Sequence, residues 1–227
     1  YNPISPSESE LELMPGLESS DFEWLEITNS GSREIPLEDL RFTKGIEYDF
    51  LNSRKKSISP GESVVIVSNE DAFNIRYNYS QTPDYVVGIF TKNLSNSGER
   101  IKLSYGAGTP IIDFNYEDQF PWPESADGNG HSLVLISHKS ISNHNSSKNW
   151  RMSKYLGGSP GDNDSIPFKG DENGDGNSNG IHDLMEYAIR GSLEIETTNI
   201  DGLTYPTVSY TLSLGADEVA VAVQYSN

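Results

Sequence analysis

The chain has 227 residues, 34% of them hydrophobic, and 34 acids against 16 bases give a formal net charge of −18. Such a surface repels phosphate backbones and anionic membrane surfaces, which argues against nucleic-acid partners. There is no cysteine, so disulfides, thiolate catalysis and cysteine-type zinc sites are excluded.

Taken in chain order, the first 160 or so residues read as short strands between turn clusters, punctuated by many of the 20 glycines and 12 prolines. Phe22 to Ile27 is aromatic and branched and is expected to be a strand, followed by a turn at Asn29-Ser30-Gly31-Ser32. Leu37 to Thr43 is a second strand. Ser63-Val64-Val65-Ile66-Val67, entered through Ser59-Pro60-Gly61-Glu62, is a buried strand by its run of β-branched residues. Asp71 to Tyr77 is read as a short helix with Phe73 and Tyr77 one turn apart, and Tyr85 to Phe90 as a strand. Arg100 to Tyr105 alternates, with Ile101, Leu103 and Tyr105 on one face, and Ile111 to Tyr116 returns as the second arm of a β-hairpin. Ser132 to Ile136 is a further strand.

Residues 157–171 are rich in Gly, Pro, Asp and Ser and mark a boundary. Past Tyr205 the strand pattern resumes at Thr207–Leu214 and Val219–Tyr225, with a turn at Ala216-Asp217-Glu218. The division expected is 1–161, 162–191 and 192–227, the last a β-hairpin of a domain that continues. The chain opens at Tyr1-Asn2-Pro3 and ends in mid-pattern, so it is read as a piece of a longer protein. No apolar run is long enough to span a bilayer, and no membrane insertion is expected.

The stretch Asp175-Gly176-Asn177-Ser178-Asn179-Gly180-Ile181-His182-Asp183-Leu184-Met185-Glu186 matches D-x-[DN]-x-[DN]-G-x5-E in full. Asp175, Asn177 and Asn179 offer side-chain oxygens, Gly180 allows the sharp turn, and Ile181 offers its carbonyl. Asp183 acts directly or through water, and Glu186 closes the shell with two oxygens. A hard cation needs six to eight such oxygens, so Ca2+ is the ion expected, in a structural role; the alternative is a solvated Asn/Gly linker. Leu184, Met185, Ala188 and Ile189 sit at helical spacing, so the loop runs into a helix over 182–190, capped by Gly191. No helix is expected before it, which makes the unit half of an EF-hand. An overlapping frame through Asp171, Asn173, Asp175, Asn177 and Asn179 ends at His182 where a carboxylate belongs, and raises a shared or second ion.

A family resemblance rests on several motifs in order. Asp21-Phe22-Glu23-Trp24-Leu25-Glu26-Ile27-Thr28-Asn29 resembles the strand "E-F-I-E-L-x-N" of lamin tail domains, and Tyr1-Asn2-Pro3 the end of that family's first strand. Leu94-Ser95-Asn96-Ser97-Gly98-Glu99 resembles its "L-S-N-S-G-E" turn. Pro121-Trp122-Pro123, Ala126-Asp127-Gly128, Ser132-Leu133, Asn149-Trp150-Arg151 and Gly158-Ser159-Pro160-Gly161 follow. The resemblance covers about residues 1–161, with most of the first strand missing. It implies an all-β, immunoglobulin-like β-sandwich in an accessory module of exported bacterial proteins, with no catalytic residues to transfer. The loop after it resembles those of dockerins, which carry two repeats; with one repeat here, a cohesin partner is not expected.

Other constellations read as structural. Glu23 and Glu26 are taken as acceptors for backbone hydrogen bonds from a neighbouring loop, with cation coordination as the alternative. His131, His138, His144 and His182 show no zinc spacing and are taken as surface residues. Trp24, Trp122 and Trp150 are assigned to the core rather than to a sugar platform. Arg54-Lys55-Lys56 is a basic loop tip. No G-x-S-x-G elbow, P-loop or dinucleotide fingerprint is present. The function expected is a monomeric, non-enzymatic structural or interaction module, secreted or at the cell surface, whose partner is an extracellular protein or polysaccharide. The alternatives are a carbohydrate-binding module and an accessory domain of a cation-dependent hydrolase.

Overall fold

The computed structural model describes residues 1–136, 143–189, 194–217, 219 and 221. These form two compact units, Tyr1–Asp164 and Ser165–Asn227. The strands of the first are β1 (Trp24–Thr28), β2 (Ile35–Pro36), β3 (Leu40–Lys44), β4 (Tyr48–Asp49), β5 (Ser57–Ile58), β6 (Ser63–Val67), β7 (Val86–Ile89), β8 (Glu99–Tyr105), β9 (Thr109–Tyr116), β10 (Leu133–Leu135) and β11 (Trp150–Met152), with helices α1 (Glu8–Leu13) and α2 (Glu70–Arg76). The second unit holds α3 (Asp183–Ala188), β12 (Glu194–Ile200) and β13 (Leu203–Ser209). The protein is β-rich, with its strands in several small sheets.

In the first unit a three-stranded sheet has the order β1-β6-β7 and a four-stranded sheet the order β4-β3-β8-β9. Side chains of both sheets meet in one core: Val64 and Ile66 from β6, Leu40 and Phe42 from β3, Ile101 and Leu103 from β8, and Phe114 from β9. The other face of β6 carries Val65 and Val67, which pack with Phe73 of α2 and Val86 of β7. A strand buried on both faces needs a continuous apolar run, and β6 has one. Its partner β7 lies parallel to it, the α2 segment providing the crossover.

Several expectations shift. The strand expected from Phe22 begins at Trp24, because Ser19–Phe22 is a 3-10 turn whose Asp21 carboxylate accepts the Glu18 N–H. The second strand begins at Leu40 rather than Leu37: Leu37 is fully buried, and its carbonyl accepts the Leu40 N–H in a turn. Tyr105 lies opposite Leu40 as Leu103 lies opposite Phe42, so it shares their face as expected, but at the end of the strand it is 48% exposed. The β8–β9 register shifts between Leu103 and Ser104, which pair with Ile112 and Pro110. Ile111 is the extra residue, a bulge in β9, and is 52% exposed.

The sequence reading missed α1. Ser7 and Glu10 form a reciprocal capping box at its start. Arg76 of α2 grips it: Nε donates to Glu10 Oε1 at 2.8 Å, Nη2 to Oε2 at 3.1 Å and Nη1 to Ile4 O at 3.0 Å. The guanidinium lies 3.3 Å from the Phe22 ring centre. The hydrogen bonds from Arg76 hold the Glu10 carboxyl down at about 2. A depressed acid stabilises the fold above its unfolded value and ceases to do so as pH falls through the folded one. Glu10→Gln is therefore expected to cost about 1–2 kcal/mol at neutral pH, less near pH 2, in urea titrations.

The hairpin of the second unit is also displaced. β12 and β13 pair around Asp201-Gly202, both with positive φ (51° and 81°), in the geometry of a two-residue hairpin turn. Leu203–Ser209 thus replaces Thr207–Leu214 as the strand, because the Asp-Gly pair fixes the turn at 201–202 rather than at 216–218. Residues 210–214 leave the sheet apart from a bridge between Ile189 and Leu212. The strand expected at Val219–Tyr225, the Glu218 end of its turn, and the Gly191 cap lie largely or wholly outside the described residues. Among the described residues no helix is long and apolar enough to cross a membrane.

Candidate cation-binding loop and buried carboxylates

The loop of the second unit is held by its own polar groups. Asp175 lies at its start, and its Oδ1 accepts the Asn179 N–H at 3.0 Å and its Oδ2 the Gly180 N–H at 2.8 Å. Asn177 and Asn179 accept the N–H two residues on, at 3.1 and 2.8 Å, so each closes a small turn. Ser178 and Gly180 both have positive φ (60° and 84°), which folds the chain back tightly. The Ile181 N–H is the donor to Asn179 Oδ1. Asp183 reaches back, its Oδ1 accepting the Gly176 N–H at 2.9 Å while its own N–H donates to Gly174 O.

Glu186 comes in from α3 one turn later. Asn177 Nδ2 donates to its two oxygens at 2.9 and 3.2 Å, and Asn179 Nδ2 donates to Oε1 at 2.6 Å. All the sequence-predicted positions therefore sit on one tight loop: Asn177, Asn179 and Glu186 meet directly, and Asp175 and Asp183 are bonded into the same backbone. Donors of this kind, carboxylates with amide and carbonyl oxygens, fit a hard divalent cation. Among the described residues no three His, Cys, Asp or Glu side chains form a metal-holding group. The overlapping frame is joined differently: Asp171 Oδ1 accepts the Asn173 N–H, and His182 Nδ1 contacts Asn173 O at 3.0 Å.

The helix after the loop spans Asp183–Ala188, shorter than the 182–190 expected, and Ile189 caps it. Ala188 and Ile189 are buried, but Met185 is 41% exposed. Phe168 and Tyr187 rings stand 5.2 Å apart, and the Tyr187 hydroxyl donates to Ile166 O, which brings residues 166–168 against α3.

In the first unit the acids act as acceptors for distant backbone. Glu23 is 2% exposed, and its Oε2 accepts the Leu94 N–H at 2.8 Å. Burial pushes its carboxyl up to about 7; the Leu94 hydrogen bond acts against this, and Glu99 adds to it. Glu26 Oε2 accepts the Gly161 N–H at 2.8 Å, and burial raises that carboxyl too. Glu23 also lines a polar cavity of about 540 Å³ with Glu18, Ser19, Ser20, Asn93, Leu94 and Asn96. No local pattern marks it, since its walls come from residues 18–23 and 93–96, far apart in the chain.

The remaining motif residues also touch one another. Asn2 Nδ2 donates to Asp127 Oδ1 at 2.7 Å and Gly128 N–H to Asn2 O. Glu99 Oε1 accepts the Ser95 N–H at 2.6 Å, and a Cβ on Gly98 would fall 2.5 Å from Tyr116 O. Asp164, missed by sequence reasoning, accepts from Arg151, from Lys154 N–H at 2.9 Å and from Ser159 Oγ at 2.9 Å. This tie draws 162–164 into the first unit, past the expected boundary at 161.

None of the three tryptophans is fully exposed. Trp122 is in the main core, Trp150 packs on it, and Trp24 packs on the second cluster with Nε1 donating to Tyr77 OH at 2.9 Å. His144 is not a plain surface residue, its ring lying 5.6 Å from Phe114 and 6.0 Å from Trp150. His131 is half-buried with Nδ1 2.8 Å from Ser153 O; His138 lies outside the described residues. Two charges of the basic tip are paired, Arg54 with Glu70 and Lys55 with Glu62, and Lys56 Nζ donates to Leu51 O at 2.9 Å. No protein-family model, no curated protein and no solved structure matches this chain.

Proposed function

We propose that this chain is a non-catalytic structural or interaction module of a secreted or cell-surface protein. In this reading the first unit is a lamin-tail-type, immunoglobulin-like sandwich that serves as spacer or adhesion unit. The second carries one structural Ca2+ in the 175–186 loop. The observation that carries the reading is the gathering of Asp175, Asn177, Asn179, Asp183 and Glu186 on a single tight loop that leads into α3. It is supported by two sheets sharing one core, and by polar motif side chains that are committed to backbone hydrogen bonds rather than converging as reactive groups.

The proposed ligands are Asp175, Asn177, Asn179, the Ile181 carbonyl, Asp183 and Glu186. Extracellular loops of this type bind with constants of about 10⁻⁴–10⁻³ M, a structural range rather than a signalling one. Calcium at about tenfold the dissociation constant should add about 1.4 kcal/mol to the unit that binds it. Calorimetric melting with calcium and with chelator tests this. The calcium-dependent gain is expected in the wild type and is lost in Asp175→Ala/Glu186→Ala. A wild type that melts identically in both buffers, with no heat of calcium binding, overturns the cation reading.

A further inference from the structure

The chain contains three Asn-Gly pairs, Asn129-Gly130, Asn173-Gly174 and Asn179-Gly180. In such a pair the glycine nitrogen can attack the asparagine side-chain carbonyl. Glycine presents no Cβ to obstruct the five-membered ring that forms. The reaction needs an acceptor for the glycine N–H proton and a donor for the charge that builds on Oδ1 as the carbonyl becomes tetrahedral.

Only one of the three pairs has both. The Gly180 N–H points at a carboxylate, Asp175 Oδ2, 2.8 Å away. The Ile181 N–H donates to Asn179 Oδ1 at 2.8 Å, where the oxyanion would form. Asn179 is exposed, and nothing lies within 4 Å of the Cβ position of Gly180. At Asn173-Gly174 the glycine N–H instead donates to a neutral carbonyl, Asp171 O, at 2.9 Å. At Asn129-Gly130 no carboxylate among the described residues accepts the glycine N–H; the side-chain amide there donates to the carbonyls of Glu124 and Asp127 at 3.3 and 3.0 Å, as that of Asn179 donates to Glu186 Oε1 at 2.6 Å. Among the described residues no N–H donates to the Oδ1 of Asn129 or Asn173.

We propose that Asn179-Gly180 is a site of self-assisted deamidation. As the Gly180 nitrogen bonds to Asn179 Cγ, Asp175 takes its proton and the Ile181 N–H steadies the charge on Oδ1. The tetrahedral centre then expels the side-chain nitrogen, which leaves as ammonia with the proton returned from Asp175, and a succinimide remains. Water opens either C–N bond of the imide, giving aspartate or isoaspartate at 179. The net change is hydrolysis of one amide by one water. An aspartate adds a carboxylate to the loop; an isoaspartate inserts a methylene into its backbone and spoils the turn. The inference uses only the hydrogen bonds of the loop and stands apart from the cation reading.

The test is peptide mapping by mass spectrometry of the full chain, incubated in chelator at neutral pH, natively and in urea. Fragmentation locates each amide-to-acid conversion. In urea the three pairs should convert at similar rates. In the native chain Asn179 should convert about tenfold faster than Asn129 and Asn173, a modest assistance for a base in an open loop. Asp175→Ser, which still accepts a hydrogen bond but takes no proton, should bring Asn179 down toward the other two. A native Asn179 slower than the same residue in urea means that the loop protects it and overturns the proposal. So does an Asp175→Ser rate equal to wild type while Asn129, the internal reference, is unchanged.

Discussion

Asp164→Ala is expected to destabilise the first unit by about 3–5 kcal/mol, the usual cost of removing one partner from a buried ion pair. The side chains of Arg151 and Asp164 are only 11% and 5% exposed. Without the carboxylate, the Arg151 guanidinium loses a buried ion-pair partner, and the Lys154 N–H and Ser159 hydroxyl lose their acceptor. Removing one side of a buried pair costs more than the pair contributes when intact, because the desolvation of the remaining groups is no longer offset. Asp164→Asn keeps an acceptor for the Lys154 N–H and should lose less. All three tryptophans lie in residues 1–164, so tryptophan fluorescence during urea unfolding reports this unit alone. A midpoint unchanged in Asp164→Ala would show that the pair adds nothing to the fold.

The second large effect is on pH dependence. Glu23 has its carboxyl raised to about 7 in the fold, against an ordinary value of 4.5, chiefly by burial. The folded chain therefore holds a proton that the unfolded chain has released. Stability from this group is fully present below pH 4.5 and is lost as pH rises through 7. The shift corresponds to about 3 kcal/mol across that interval. Glu23→Gln keeps an oxygen for the Leu94 N–H and cannot ionise. It should match the wild type near pH 4.5, exceed it by about 3 kcal/mol at pH 8, and flatten the profile between. Glu26, raised by burial as well, contributes in the same direction and remains in the variant. Equal slopes for wild type and Glu23→Gln in fluorescence-monitored urea titrations would refute the assignment to Glu23.

The elements that were legible from sequence are those whose signal is local. β6 was found residue for residue because five consecutive β-branched or small residues suit a strand covered on both sides. The β8–β9 hairpin was legible from alternation and the glycines between its arms. The bulge at Ile111 was not, since one extra residue in an arm leaves the apolar count unchanged and alters only which side chains face inward. The Asp201-Gly202 turn carries a local signal as well, but the strand-like pattern at Thr207–Leu214 competes with it for the position of the hairpin. The loop at 175–186 folds tightly through contacts within a dozen residues, so its turn residues are set by local spacing, and its cation is part of the proposed function.

Sequence alone, then, determined the β-rich character, the absence of thiol chemistry in these residues, and the spacing of oxygen-bearing side chains along the 175–186 turn. These depend on neighbours in the chain, where composition and period carry the information. What the tertiary structure decided was the partner of each buried charge. Glu23 meets Leu94 across 71 positions, Glu26 meets Gly161 across 135, and Arg76 reaches Glu10 across 66. A carboxylate's environment is the sum of what the fold brings within a few ångströms. Its desolvation and its hydrogen bonds exist only once distant segments have packed.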